Sequence, residues 1–242
     1  YSIPAKSSFI PPMGAEAKFF NESLVKKYGW EYNPQRSIEI LEGMGCKKGS
    51  DGIYRLPDGT RLGPFKLECP YGWTDWNSAL QIVSQSAKKA GIDLQTYFPE
   101  AQIWTTDYSS GNFDIVMASP ANWQGPTQPW SRFNFVMYSK GVPPAGKNAF
   151  SNYGRYRNPE VDRIIEAIPK ANESELKGLY SQLDTIFMRD IPAIPLMYRP
   201  WEFYEYNEAH WRNFPNEKNP YTAPMPLVHT GIKLLYKIEP VK

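Results

Sequence analysis

The chain has 242 residues, 41% hydrophobic and 21% charged, which suits one large domain or two small ones and excludes a disordered segment. Its 27 Lys and Arg against 25 Asp and Glu give a net charge of +2, mixed throughout with no basic block, which argues against nucleic acid and anionic membrane surfaces as partners. No apolar run approaches the ~20 residues that span a bilayer, and a chain beginning at Tyr1 reads as a mature or excised piece, so a missing leader says nothing about secretion.

Residues 1–32 are Pro-rich and irregular, with one short helix expected over about 15–28. Asn33 and Pro34 open a helix that stops near Gly43 and Gly45. A hairpin follows, with its turn at Leu56-Pro57-Asp58-Gly59. Residues 65–70 alternate Phe65, Leu67 and Cys69 against Lys66 and Glu68, a strand pattern. Residues 75–90 carry Leu80, Val83, Ala87 and Ala90 on one side of a helix, with Asp75 as its natural cap and Gly91 as its stop. A second strand over 92–98, a second helix over 99–109 ended by Gly111, and an apolar strand over 114–118, expected to be covered on both faces, complete a strand–helix–strand–helix–strand unit. Such a unit makes two crossovers on a mostly parallel sheet. The Trp-, Pro- and Gly-rich stretch from Ser119 to about Asn152 is too long for a plain connection.

Asn158 and Pro159 start a helix with Val161, Ile164, Ile165 and Ile168 on one face. Asn172 and Glu175 form a capping box for the next, whose stripe is Leu176, Leu179, Tyr180, Leu183 and Phe187. Ile191, Pro192 and Pro195 then force an extended exit into a strand over 193–198. The remainder is irregular and aromatic, and its GIKLLYKI run, residues 231–238, is expected to be a strand. The chain thus divides into a lead-in (1–32), an α/β lobe (33–198) and a return segment (199–242).

Three features in order carry a resemblance. They are Asn33-Pro34 with the later Pro57-Asp58-Gly59 hairpin, then Ser110-Gly111-Asn112-Phe113-Asp114 before an apolar strand, then Asn158-Pro159-x-Val161-Asp162, Leu179-Tyr180-x-x-Leu183 and Asp190-x-Pro192-x-Ile194-Pro195-Leu196. Over residues 33–198 the chain resembles the extracellular solute-binding proteins, family 5, of peptide and oligosaccharide ABC importers, nearest to the cello-oligosaccharide-binding branch. The second motif departs at Asn112, where the family usually has Asp. The resemblance implies an α/β fold, the second lobe of a two-lobed class II periplasmic-binding-protein-like architecture plus a return segment. It also implies a missing first lobe, an ABC permease as partner, a periplasmic or extracellular location and no cofactor.

In an open α/β sheet, ligands sit outside the carboxyl ends of the strands. The loops that follow the first and third strands hold four of the 8 Trp, namely Trp73, Trp76, Trp123 and Trp130, beside Asn77, Asn122 and Gln124. Indole faces with nearby amides suit a sugar, covering its C–H face while donors and acceptors read its hydroxyls. The plainer alternative is that these rings pack under the helices. Asn152, Tyr153 and Arg155 form a third patch, placed at the cleft by the resemblance, with a surface ion pair as the alternative for Arg155. Trp30, Trp104 and Trp211 read as structural, and Trp201 as a hinge or cleft residue. An oligosaccharide, β-linked and glucose-based such as cellobiose, is the favoured ligand. A peptide is the alternative, disfavoured because these loops offer few charges for its termini.

Cys46 and Cys69 are a candidate disulfide, with two free thiols the equal alternative, and no Cys or His stands at zinc-ligand spacing from either. His210 and His229 lie in the irregular tail, and no nucleophile-elbow, zinc-helix or phosphate-loop motif is present. A fragment of a carbohydrate-active enzyme is the rival reading, and it requires two carboxylates across the Trp-lined edge.

Overall fold

The computed structural model describes residues 3–119, 129–198, 206–216, 218–219, 221–222 and 228–241. Strand β1 (Ile3–Pro4) leads through a 3-10 helix (Gly14–Phe19) into α1 (Glu22–Tyr28), capped by the Asn21 side chain. Helix α2 (Pro34–Gly43) has the expected Asn33 cap, whose side-chain oxygen accepts from Arg36 N–H at 2.9 Å. The hairpin of β2 (Lys47–Lys48) and β3 (Tyr54–Arg55) is followed by the expected turn, in which Gly59 N–H donates to Leu56 O and Asp58 accepts from Thr60 N–H.

Next come β4 (Phe65–Glu68), α3 (Thr74–Lys89), β5 (Leu94–Tyr97), α4 (Ala101–Ser110) and β6 (Ile115–Val116). The three strands form a parallel sheet in the order β5-β4-β6, as two crossovers require. Asp75 does not cap α3. Trp73 takes that position without a side-chain bond, and Asp75 lies in the first turn, where its charge complements the helix amino end. β6 is an edge strand of two residues with Ile115 38% exposed, so the expected covering of both faces fails there.

The remaining elements are α5 (Trp130–Met137), α6 (Pro159–Ala167), α7 (Glu173–Asp190), β7 (Met197–Tyr198), β8 (Trp211–Arg212), α8 (Val228–Leu235) and β9 (Glu239–Pro240). Asn158 caps α6, and Asn172 with Glu175 closes a capping box on α7. The expected terminal strand is instead mostly helix. Residues 231–235 belong to α8, and Ile232, Leu235 and Tyr236 are exposed, so the apolar run is not a buried strand.

Two apolar cores result. One joins Leu67 and Cys69 of the parallel sheet to Trp76 and Leu80 of α3 and Trp104 of α4. The other packs α5, α6 and α7 together with Phe9, Ile10 and Phe19 of the lead-in. The helix pair therefore packs on α5 and the lead-in, with Phe9 stacked on Phe187 at 4.4 Å. Asp184 of α7 holds the lead-in by accepting from Phe9 N–H at 2.8 Å and Ser8 Oγ at 2.7 Å. Tyr198 OH donates to Ser8 O, and β1 pairs antiparallel with β7 beside it.

Burial pushes the Asp184 carboxyl up to about 6, above its ordinary 3.8. A carboxyl raised on folding binds its proton more tightly in the folded state. Its contribution is therefore most favourable below the unfolded value and is lost as pH rises through about 6. Asp184→Asn should consequently flatten the pH dependence of stability between about pH 4 and 6.5, by on the order of 2 kcal/mol relative to wild type. Denaturant melts across that window check this, and parallel curves for the two proteins would refute it.

Candidate functional site

Because β4, β5 and β6 are parallel, their carboxyl ends share one edge. The loop after β4 turns at Gly72, with φ of +79°, and is tied down by Tyr71 N–H donating to Pro99 O at 2.8 Å. Asn77 Nδ2 donates to Pro70 O at 2.9 Å and to Cys69 Sγ at 3.0 Å, so Asn77 staples the loop from below. The loop presents Tyr71, 70% exposed, and Trp73, 40% exposed. Tyr71 was not singled out from the sequence, and its place beside Trp73 on a turn was the available signal.

The ring of Trp73 meets Trp76 at 4.9 Å and 78° and Trp104 at 5.5 Å and 58°. Trp76 is only 8% exposed and belongs to the sheet core. It supports Trp73 from beneath. Trp104 faces the same core, as its helix position led one to expect.

The other described candidates lie elsewhere. Trp130 packs on the helical core and donates Nε1–H to Ile165 O at 3.0 Å. Asn152 is buried, with φ of +46°, and its amide bonds Tyr138 O, Tyr156 O and Tyr156 N–H. The Arg155 guanidinium donates to Ser109 O, Lys147 O and Tyr153 O, and it fills the space over Gly111. Ser109 lies at the carboxyl end of α4, a helix that runs back from the carboxyl edge of the sheet. The 152–155 patch therefore sits toward the amino ends of the strands, away from Trp73, with its amide and guanidinium occupied by backbone. Tyr153 packs between Tyr108 at 4.4 Å and Phe135 at 5.5 Å, and burial holds its phenol far above the usual range. Asn122, Trp123, Gln124 and Trp201 lie outside the described residues.

The two cysteines are buried and free, so the candidate disulfide is absent. β4 carries Cys69 into the sheet core under Asn77, while Cys46 stays at the end of α2 near Tyr54. Burial pushes the Cys69 thiol up, which keeps it protonated.

Glu68 was not singled out from the sequence. Alternation sets it with Lys66 against Leu67 and Cys69, and it is fully buried on the central strand. Lys66 Nζ stands 3.4 Å from its carboxylate and 3.9 Å from Asp107, over the Tyr97 ring. Burial raises the Glu68 carboxyl, partly offset by the Lys66 charge. No group of three metal-ligating side chains occurs among the described residues. Asp75 and Glu100 are exposed at the carboxyl edge, each at the amino end of a helix, where a negative charge is favourable.

Two consequences are measurable. Trp76→Ala should cost about 3–5 kcal/mol of stability, against roughly 1 kcal/mol for Trp73→Ala, because only the former empties a core. Equal losses in thermal or denaturant melts would overturn that division of roles. Both thiols should react with an aromatic disulfide reagent after denaturation and stay protected before it.

Comparison with known proteins places this geometry. The bacterial extracellular solute-binding proteins, family 5 Middle, match residues 1–143. The periplasmic oligopeptide-binding protein of an oligopeptide ABC transporter from Thermotoga maritima, crystallised with mannohexaose bound, superposes with a TM-score of 0.82 and 31% identity, covering 99% of this chain and 44% of that one. A second crystal structure of the periplasmic oligopeptide-binding protein from Thermotoga maritima gives 0.85 and 31%, covering 100% and 45%. Protein XP55 of Streptomyces lividans is 26% identical over 152 residues, 62% of this chain and 26% of its own length. The chain thus spans less than half the length of these relatives.

Proposed function

Since the chain belongs to the bacterial extracellular solute-binding proteins of family 5, we propose that it forms one lobe of the substrate-binding component of an ABC importer. In this reading the ligand lies against the carboxyl edge of the parallel sheet, a first lobe closes over it, and the closed form is presented to the permease subunits outside the cytoplasmic membrane. The work is binding and release, without bond chemistry.

The ligand is an oligosaccharide, β-linked and glucose-based such as cellobiose. The observation that carries this is the exposed aromatic pair Trp73 and Tyr71 at the sheet edge, on a loop whose amide, Asn77, is spent on holding it. An uncharged ring surface of this kind offers apolar contact to a pyranose, and the charges near it, Asp75 and Glu100, are both acidic and give a peptide carboxylate no cation. Mannohexaose in the Thermotoga maritima relative supports a sugar. The same relative's description as oligopeptide-binding favours a second reading, a peptide. Of the residues named from sequence, the proposal gives Trp73 the ligand contact, with Trp76 packed beneath it. Asn122, Trp123 and Gln124, which follow the third strand in sequence, are proposed as further ligand contacts.

Intrinsic Trp fluorescence of the protein with both lobes, titrated with cello-oligosaccharides and separately with short peptides, tests this. A saturable change with sugar is expected, with affinity nearly independent of salt because no counter-charge is engaged. Response to peptide alone, or a steep salt dependence, would discard the sugar.

A further inference from the structure

The aromatic rings at the sheet edge continue into the lobe. From Trp73, 40% exposed, contacts pass to Trp104 at 5.5 Å, to Tyr108 at 4.5 Å, to Tyr153 at 4.4 Å and to Phe135 of α5 at 5.5 Å. Trp104 and Tyr108 stand one turn apart on α4, so the line follows the helix from the carboxyl edge of the sheet toward its amino edge. Its far end is fixed. Asn152 and Arg155 on either side of Tyr153 are bonded to the backbone of three separate segments. Trp104 Nε1 is buried with no hydrogen-bond partner among the described residues, so ring contacts set the orientation of that indole.

We infer that Trp104 is a positioning residue for ligand recognition: it fixes the pitch of the Trp73 ring, and Tyr108 and Tyr153 anchor Trp104 to the rest of the lobe. This rests on Trp73 being the ligand-facing ring. The contact geometry supports it in two ways. Trp73 has one buried neighbour from its own helix, Trp76, and one from α4, so its ring is held from two directions. Trp104 also meets Trp76, at 6.2 Å and 78°, which closes the three indoles into a triangle with Trp73 as the exposed corner. A ring held in this way presents a preset surface, and the ligand need not order it. A Leu at 104 keeps the core apolar but removes the flat surface against which Trp73 is set.

The test combines a ligand-free and a ligand-bound readout. Trp73→Phe should remove a near-ultraviolet circular-dichroism band from wild type, and remove much less of it in a Trp104→Leu background. Trp104→Phe, which keeps a ring, should preserve most of that band. Affinity for cellobiose or mannohexaose, measured by calorimetry, should fall about fivefold or more in Trp104→Leu and about two- to threefold in Trp104→Phe. Tyr108→Leu interrupts the line one ring further from Trp73 and should give the same signs at smaller amplitude. It serves as the deciding variant if Trp104→Leu fails to fold. An unchanged Trp73 band in the substituted backgrounds overturns the inference. So does wild-type affinity in Trp104→Leu when Trp73→Ala abolishes binding. If wild type binds neither sugar, the ligand reading of the previous section fails instead, and the dichroism cycle separates that failure from this one.

Discussion

The middle position of β4 is the constraint on which the lobe depends. A strand flanked by parallel neighbours on both sides has no edge to solvent, and its two faces must be covered by the crossover helices. Leu67 and Cys69 join Trp76 and Leu80 of α3 in an apolar cluster that Trp104 completes, while Lys66 and Glu68 alternate to the other face, where Lys66 Nζ stands 3.9 Å from Asp107 of α4. The fully buried Glu68 carboxyl is raised by burial there, and Lys66, 3.4 Å away on the same strand, offsets part of that rise. The same arrangement gathers three strand ends at one edge and lets a single turn, residues 71–73, carry two exposed rings.

The second core is built differently and is joined to the first by backbone-directed side chains. Asn152 and Arg155 both adopt positive φ, at +46° and +53°, a conformation that Asn tolerates and Arg rarely takes. The Asn152 amide and the two terminal nitrogens of Arg155 donate to backbone carbonyls at the ends of α4 and α5 and in the loop between α5 and α6. Each such bond contributes on the order of 1 kcal/mol net, and more where the donor is charged. Residues 150–156 therefore act as a joint between the sheet and the helices. This explains why polar side chains of apparent binding character are occupied internally.

Much of the architecture was readable in advance, and for local reasons. Asn33, Asn158 and Asn172 declare helix starts because an amide oxygen satisfies amide groups that the helix itself leaves open. The alternation of strand and helix over 65–116 dictates the parallel order. What failed were readings that depend on the third dimension. An apolar run over 114–118 suggests a strand covered on both faces but cannot tell that β6 lies at the sheet's edge, with Ile115 exposed. The run 231–238 is apolar at spacings that either a helix or a strand satisfies. Trp76 and Trp73 lie three residues apart and look equivalent in sequence, yet one points into the core and the other stands at the cap. The separation of Tyr153 from Trp73 follows from the direction of α4, which no motif records.

That separation sharpens what the exposed edge can do. Immobilising a rotamer-rich side chain on binding costs about 0.5–1.5 kcal/mol. For Trp73 this ordering is already met during folding, since two buried indoles fix the ring before any ligand arrives. Tyr71, at 70% exposure, stands further into solvent, and ordering its ring is left to the binding step. The two rings are therefore unequal partners in any stacked complex. In the proposed complex the more buried ring sets where the ligand lies, and the more exposed one adds area once it is there. The proposed preference for a flat, uncharged ligand rests on a rigid apolar face beside a loop held by the Asn77 amide. A ligand that needed new ionic partners at this edge would find Asp75 and Glu100, both of the same sign and both at helix amino ends that already stabilise them.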